Sequence, residues 1–183
     1  PAIASFTPSS GTSGTVVAIS GSGFTGATSV SFNGVNATSY TVVNDGLINA
    51  TAPAGVTTGL ISVVTPCGTA SSPTSFTSEV TLNLKVYIEG YYISAGTMRA
   101  PLGSGNCDSI EVRLMSSTSP YTMLYSVKGV INTSGNGVFK FPGSVMGNSY
   151  YIVVRHRNSL ETWSGIAIPL PSTSNSFDFT TLG

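Results

Sequence analysis

Apolar residues in this chain recur at every second position, and nowhere do they keep a helical spacing. Leu82, Leu84, Val86 and Ile88 alternate with Asn83, Lys85 and Tyr87, a pattern that repeats in short runs along the whole chain. A period of two marks a strand with one face buried, whereas an amphipathic helix needs a period near 3.6. The chain is therefore expected to be all-β. In the first half the expected strands are Ala2–Phe6, Thr15–Ser20, Ser29–Phe32, Ala37–Val43, Ile48–Ala52, Leu60–Thr65 and Ala70–Phe76. Asn33-Gly34 and Asp45-Gly46 separate neighbouring runs, and both are expected to be two-residue hairpin turns with positive φ. In the second half the expected strands are Thr81–Ile88, Ser109–Met115, Met123–Val130, Gly137–Phe141, Tyr150–Arg157, Glu161–Ile168 and Ser176–Thr180. In the first half, seven short strands with turn residues at such spacing point to a Greek-key sandwich.

Charge divides the chain in two. Of 7 Lys+Arg and 7 Asp+Glu, only Asp45 lies in residues 1–78, and the single His falls in the second half. Thr69–Ser78 reads as a last strand followed by a short linker. The expected organisation is two tandem immunoglobulin-like β-sandwiches, 1–78 and 79–183. A net charge of zero argues against nucleic acid, whose binding needs clustered Lys and Arg. It argues equally against an anionic membrane surface. No run of 18 apolar residues is present, so no membrane insertion is expected. One His and two Cys leave no set with metal-ligand spacing, and neither metal nor cofactor is expected. The chain begins at Pro1 without an apolar leader, which suggests a piece of a secreted or cell-surface protein.

Several blocks of the first half carry a resemblance. Ile3-Ala-Ser-Phe-Thr-Pro-Ser-Ser-Gly11, Gly14-Thr-Val-Val-Ala-Ile-Ser-Gly-Ser-Gly-Phe24 and Val30-Ser-Phe-Asn-Gly34 are similar to the IPT/TIG immunoglobulin-like domain. Ile48–Gly55 and Gly59–Thr65 continue that likeness. It implies a fold and, in bacterial surface proteins, a spacer or adhesive role; it implies no active site. In the second half, Leu84–Tyr92 and Tyr150–Ser164 resemble a module that recurs in secreted multidomain proteins of the Bacteroidetes. Val112-Arg-Leu114, Gly137–Phe141 and Ser149–Val154 are similar to collagen-adhesin B-type and transthyretin-like sandwiches. The collagen-adhesin likeness raises an isopeptide from Lys85 to Asp178 with Glu111 as helper. Alternation, however, puts Lys85 and Asp178 on the outer face, where that chemistry is not expected.

The densest polar patch is Arg155-His156-Arg157-Asn158, followed after a turn by Glu161 and Trp163. Arg155 and Arg157 share one strand face, and Glu161 and Trp163 would lie on the neighbouring strand. One reading is a ligand platform in which Trp163 stacks on a sugar ring while Arg155, Arg157, Asn158 and Glu161 supply hydrogen bonds, with Tyr87 exposed on the same face. The competing reading is a hairpin laced by Arg–Glu pairs, with Trp163 capping the core. No G-x-S-x-G elbow occurs, and a triad would have to use His156. Glu111 and Glu161 could pair as glycosidase carboxylates, but among seven acids in two sandwiches such a pairing arises by chance, and no catalysis is expected. Cys67 and Cys107 fall one in each half. They could form a disulfide in an oxidising compartment, remain free, or join two chains.

The sequence thus leads to a non-catalytic extracellular module with an adhesive, structural or fibre-forming role. Its partners would be other surface-protein domains or copies of itself. The alternative is a carbohydrate-binding module accessory to a polysaccharide-degrading enzyme.

Overall fold

A computed structural model of the chain describes residues 1–157 and 159–181. These are strands, turns and two single-turn 3-10 segments, and the fold is all-β. They form two compact units, one of Pro1–Glu79 with Pro142–Ser144 and one of Val80–Phe141 with the residues from Val145 onward. Among the described residues no helix is long and apolar enough to cross a membrane.

The first unit contains β1 (Ala2–Thr7), β2 (Ser10–Gly11), β3 (Val16–Ser22), β4 (Ser29–Phe32), β5 (Val35–Asn36), β6 (Ser39–Asn44), β7 (Leu47–Thr51), β8 (Gly59–Thr65) and the start of β9 (Gly68–Lys85). One sheet runs β1-β3-β7-β6, and the other orders β5-β4-β8-β9. Alternation decides which side chains lie between them. Val17 and Ile19 of β3 and Ile48 of β7 join Val30, Phe32, Ile61, Val63 and Phe76 in one fully buried cluster. Phe32 and Phe76 meet edge to face, with centroids 5.2 Å apart.

Asn33-Gly34 turns as expected, with φ of 46° and 83°, the left-handed pair that a type I′ hairpin requires. Asp45-Gly46 is also a two-residue turn, joining β6 to β7, but neither residue has a positive φ, and the β6–β7 ladder slips between Val42 and Asn44 just before it. The Asp45 carboxylate is used elsewhere: it accepts the Gly23 and Thr25 amides and the Thr25 hydroxyl. The same residue thus makes the β6–β7 turn with its backbone and ties down the β3–β4 loop with its side chain. A second difference is that the Ser/Thr-rich stretch up to Ser78, expected to end in a linker, is strand throughout.

The second unit contains the end of β9, then β10 (Tyr92–Ser94), β11 (Thr97–Met98), β12 (Asn106–Ser116), β13 (Met123–Asn132), β14 (Asn136–Pro142), β15 (Ser149–Arg155), β16 (Thr162–Trp163), β17 (Ile168–Pro169) and β18 (Ser174–Asp178). The sheet β13-β12-β15-β16 is antiparallel, with β17 also on β15. β14 and β18 each pair with β9, and β18 runs parallel to Thr81–Lys85. Leu82 and Leu84 pack with Val112, Leu114, Ile152 and Phe139 in a single core. Lys85 and Asp178 lie on the outer face as the alternation requires, 3.8 Å apart and each over a third exposed.

The run expected as one strand, Glu161–Ile168, is split into β16 and β17. Ser164 is the cause. It is buried, its hydroxyl accepts the Ile152 amide at 3.0 Å, and it donates to the Ile166 carbonyl at 2.8 Å. A side chain thus replaces a backbone acceptor in the ladder and ends it.

The two cysteines are free thiols in this structure, Cys67 exposed and Cys107 buried. Cys107 behaves as a small apolar side chain within its own unit, its Sγ 3.8 Å from the Met98 Sδ.

Candidate functional site

The outer face of the sheet β13-β12-β15-β16 gathers most of the chemistry that the second unit possesses. Its register writes the face as cross-strand rows. In one row Ser126 lies opposite Arg113, Arg113 opposite Val153, and Val153 opposite Trp163. Two residues along, Lys128 lies opposite Glu111 and Glu111 opposite Arg155. Two residues the other way, Met115 lies opposite Tyr151. Val153 points outward yet is fully buried, so the side chains around it form a second layer over the sheet.

An ionic network makes part of that layer. Glu111 takes Arg113 at 3.0 Å and Arg155 at 3.7 Å through Oε2, while the Ser126 hydroxyl donates to Oε1. The Arg155 Nε reaches Glu161 at 3.1 Å. Glu161 in turn accepts the indole N–H of Trp163 at 3.1 Å, which anchors that edge of the ring. The Ser126 hydroxyl, followed by the Arg113 guanidinium, holds the Glu111 carboxyl below the usual range against the opposing effect of burial.

Aromatic rings form the other part. Trp163 is 41% exposed and Tyr121 44% exposed. Between them stands Tyr151, 6.2 Å from the Trp163 ring and 5.5 Å from that of Tyr121. Tyr121 sits in the β12–β13 loop with φ of 54°, a conformation that a bulky residue rarely adopts and glycine adopts freely.

At the other end of the face the β12–β15 ladder stops at Glu111–Arg155, while β12 continues alongside β13 as far as Asn106. The opening between the strands is filled by Asp108, only 2% exposed. Its carboxylate accepts the Tyr91 hydroxyl at 2.9 Å, the Arg157 guanidinium at 2.8 Å and its neighbouring Ser109 amide at 2.7 Å. The His156 Nε2 lies 3.1 Å away. Burial alone would raise this carboxyl, but the His156, Ser109 and Tyr91 hydrogen bonds and the Arg157 charge outweigh it. Its pKa falls to about 2. Above this network lies a cleft of about 270 Å³, lined by Ser109, Glu111, Lys128, Arg155 and Arg157 over a floor of Ile110 and His156.

The structure therefore brings together Trp163, Glu161 and Arg155. Arg157 lies at the cleft but turns its guanidinium to Asp108. Tyr87 stands apart: it is half-buried, 5.4 Å from Tyr92 and beneath the Lys85 ammonium. Asn158 lies outside the described residues. Tyr121, Tyr151 and Arg113 complete the face, and sequence reading did not attach them to it. Tyr151, Val153 and Arg155 share a parity, so Tyr151 was available as a signal; Tyr121, in a loop, gave none.

Both acids of the face are engaged: Glu111 by Ser126, Arg113 and Arg155, and Glu161 by Arg155 and Trp163. His156 is almost fully buried on Asp108, so its Nε2 cannot meet a substrate. Among the described residues no group of His, Cys, Asp and Glu could hold a metal ion.

Comparison with known proteins gives the following. The family model of the IPT/TIG domain matches residues 1–78. No curated protein matches the chain. Among solved structures, a gamma-CGTase from Alkalophilic bacillus clarkii aligns over 97% of this chain and 27% of its own, at 17% identity and a TM-score of 0.42. A Bacteroides thetaiotaomicron protein of unknown function aligns over 88% of this chain and 48% of its own, at 12% identity and a TM-score of 0.39. SGBP-B from a complex xyloglucan utilization locus in Bacteroides uniformis aligns over 92% and 49%, at 16% identity and a TM-score of 0.36. The chain spans about half or less of each of these structures.

Proposed function

We propose that the second unit, carried behind an IPT/TIG domain, is a non-catalytic carbohydrate-binding module of a secreted or cell-surface protein. The observation that carries this reading is the row Tyr121–Tyr151–Trp163 on an outer sheet face, bordered by Arg113, Arg155 and Glu161. Sugar rings offer C–H faces to aromatic rings and hydroxyls to charged and polar groups. A surface that holds both kinds of group side by side, on a rigid sheet, suits a glycan better than a protein core. Two features support a role beyond packing. The indole N–H is anchored by Glu161 while the ring remains open to solvent, and Tyr121 is held in a conformation that favours glycine, so its side chain is the reason for its presence.

The test is retention of the purified chain on cellulose, chitin and xylan beside Trp163→Ala and Tyr121→Ala. The reading expects retention on at least one polymer and a loss of about tenfold or more in Trp163→Ala. Equal retention of wild type and both variants would remove the aromatic row from the account. If nothing is retained, an adhesive or structural role toward other surface domains or copies of the chain takes its place.

A further inference from the structure

The cleft at the end of this face has a property that a neutral glycan does not require. Four of the chain's seven Lys and Arg gather here: Arg113, Lys128 and Arg155 on the outer side of one sheet, and Arg157 just past the end of β15. Three of these, Lys128, Arg155 and Arg157, line the cleft together with the Ser109 side. The nearby acids are already engaged. Glu111 is shared by Arg113, Arg155 and Ser126, and Asp108 is enclosed beneath Arg157, His156 and Tyr91. Lys128 lies directly opposite Glu111 in the ladder, yet it makes no ion pair among the described residues. One cation is thus left over at a cleft where the acids have their partners.

We infer that this cleft receives a carboxylate on the glycan, so that the ligand is an acidic polysaccharide built from uronic acid residues. The inference rests on the carbohydrate reading and adds the ligand's charge class to it. The geometry supports a single chain meeting both parts of the face. Val153, beside Trp163, and Arg155, at the cleft, are two residues apart on β15, about 7 Å along the strand. A chain lying along β15 would stack one ring near Trp163 and bring the carboxylate of the next to Lys128 and Arg155. The cleft volume of about 270 Å³ is on the scale of one such residue. Ser109, exposed at its edge, adds a hydroxyl donor. The opening exists because Asp108 holds Arg157 and His156 in the gap where the β12–β15 ladder ends. Asp108 is thus a positioning residue for the cleft rather than a contact of the ligand.

The experiment is affinity electrophoresis at low salt through polygalacturonate, alginate and glucuronoxylan, each beside its carboxyl-reduced form. The chain is run as wild type, Lys128→Met and Trp163→Ala. The expected result is that at least one acidic polymer retards the wild type about tenfold more strongly than its reduced form. Lys128→Met should lose most of that difference while keeping the retardation by the reduced polymer, and Trp163→Ala should lose both. Lys128 is exposed, so its replacement leaves the fold intact. Equal retardation by acidic and reduced polymers that still depends on Trp163 would overturn the inference and leave the carbohydrate reading standing. Failure of every polymer, charged or reduced, would overturn both. Equally strong retardation by dextran sulfate would show general attraction for anions, and would also overturn the carboxylate assignment.

Discussion

Asp108 and His156, 48 residues apart in the chain, meet at 3.1 Å at the point where two strands of one sheet part. The pair is almost wholly buried. With Tyr91 and Arg157 it turns an opening in the ladder into a filled, polar joint. Buried polar groups of this kind stabilise only while each keeps its partner.

Asp108→Asn should therefore destabilise the second unit by about 1–3 kcal/mol, since Arg157 loses its ion pair and one donor is left facing an amide. The pH dependence has a defined direction. The carboxyl takes up a proton near 3.8 when unfolded and near 2 when folded. As pH falls, the unfolded state is protonated first, so the contribution is full above about pH 4 and is lost toward pH 2. Acid denaturation monitored by circular dichroism should show a shallower fall for Asp108→Asn than for wild type across that window. Parallel curves displaced by a constant would contradict the assignment. Glu111, Asp45 and Asp178 are lowered in the same direction, so the variant retains part of the slope.

The two thiols should differ in reactivity. Cys67 is exposed and Cys107 is fully buried, and burial pushes the Cys107 thiol up, with Asp108 acting in the same direction. Ellman's reagent should titrate one thiol in the native protein and two in guanidinium chloride. No reactive thiol in unreduced, unfolded protein would show that the two are joined in a disulfide.

Gly129 marks a place where β13 has no room for a side chain. A Cβ there would lie 2.8 Å from the Phe139 ring, which is itself in the core. Gly129→Val should cost about 1–3 kcal/mol through overpacking, read from urea unfolding of the second unit. Phe139→Leu in the same chain should recover part of the loss; an additive double variant would mean the clash is relieved in another way.

Much of the fold was legible because its signals are local. Alternation alone placed Leu82, Leu84 and Val86 inward, and Asn33-Gly34 made its hairpin. Failures arose where a side chain had a distant use. Asp45 made its turn without the expected positive φ while its carboxylate holds the Gly23–Thr25 loop, and Ser164 broke a strand by bonding Ile152. For the site, Arg155, Glu161 and Trp163 could be grouped because one hairpin contains them. Arg113 could not, since the β12–β15 register is fixed only when the core forms. Tyr121 is presented by a loop with no periodic signal, and Tyr87 was drawn to the patch by residue type when its partners are Tyr92 and Lys85.

Trp163 is the chain's only tryptophan, so its emission reports on the proposed stacking site alone. The most direct measurement is titration of the protein with the polysaccharide that retains it, following Trp163 fluorescence and its quenching by acrylamide. The account predicts a saturable change in emission and a loss of acrylamide access over the same concentration range as binding. Binding that saturates while emission and quenching stay unchanged would contradict it, because the glycan would then be held away from Trp163.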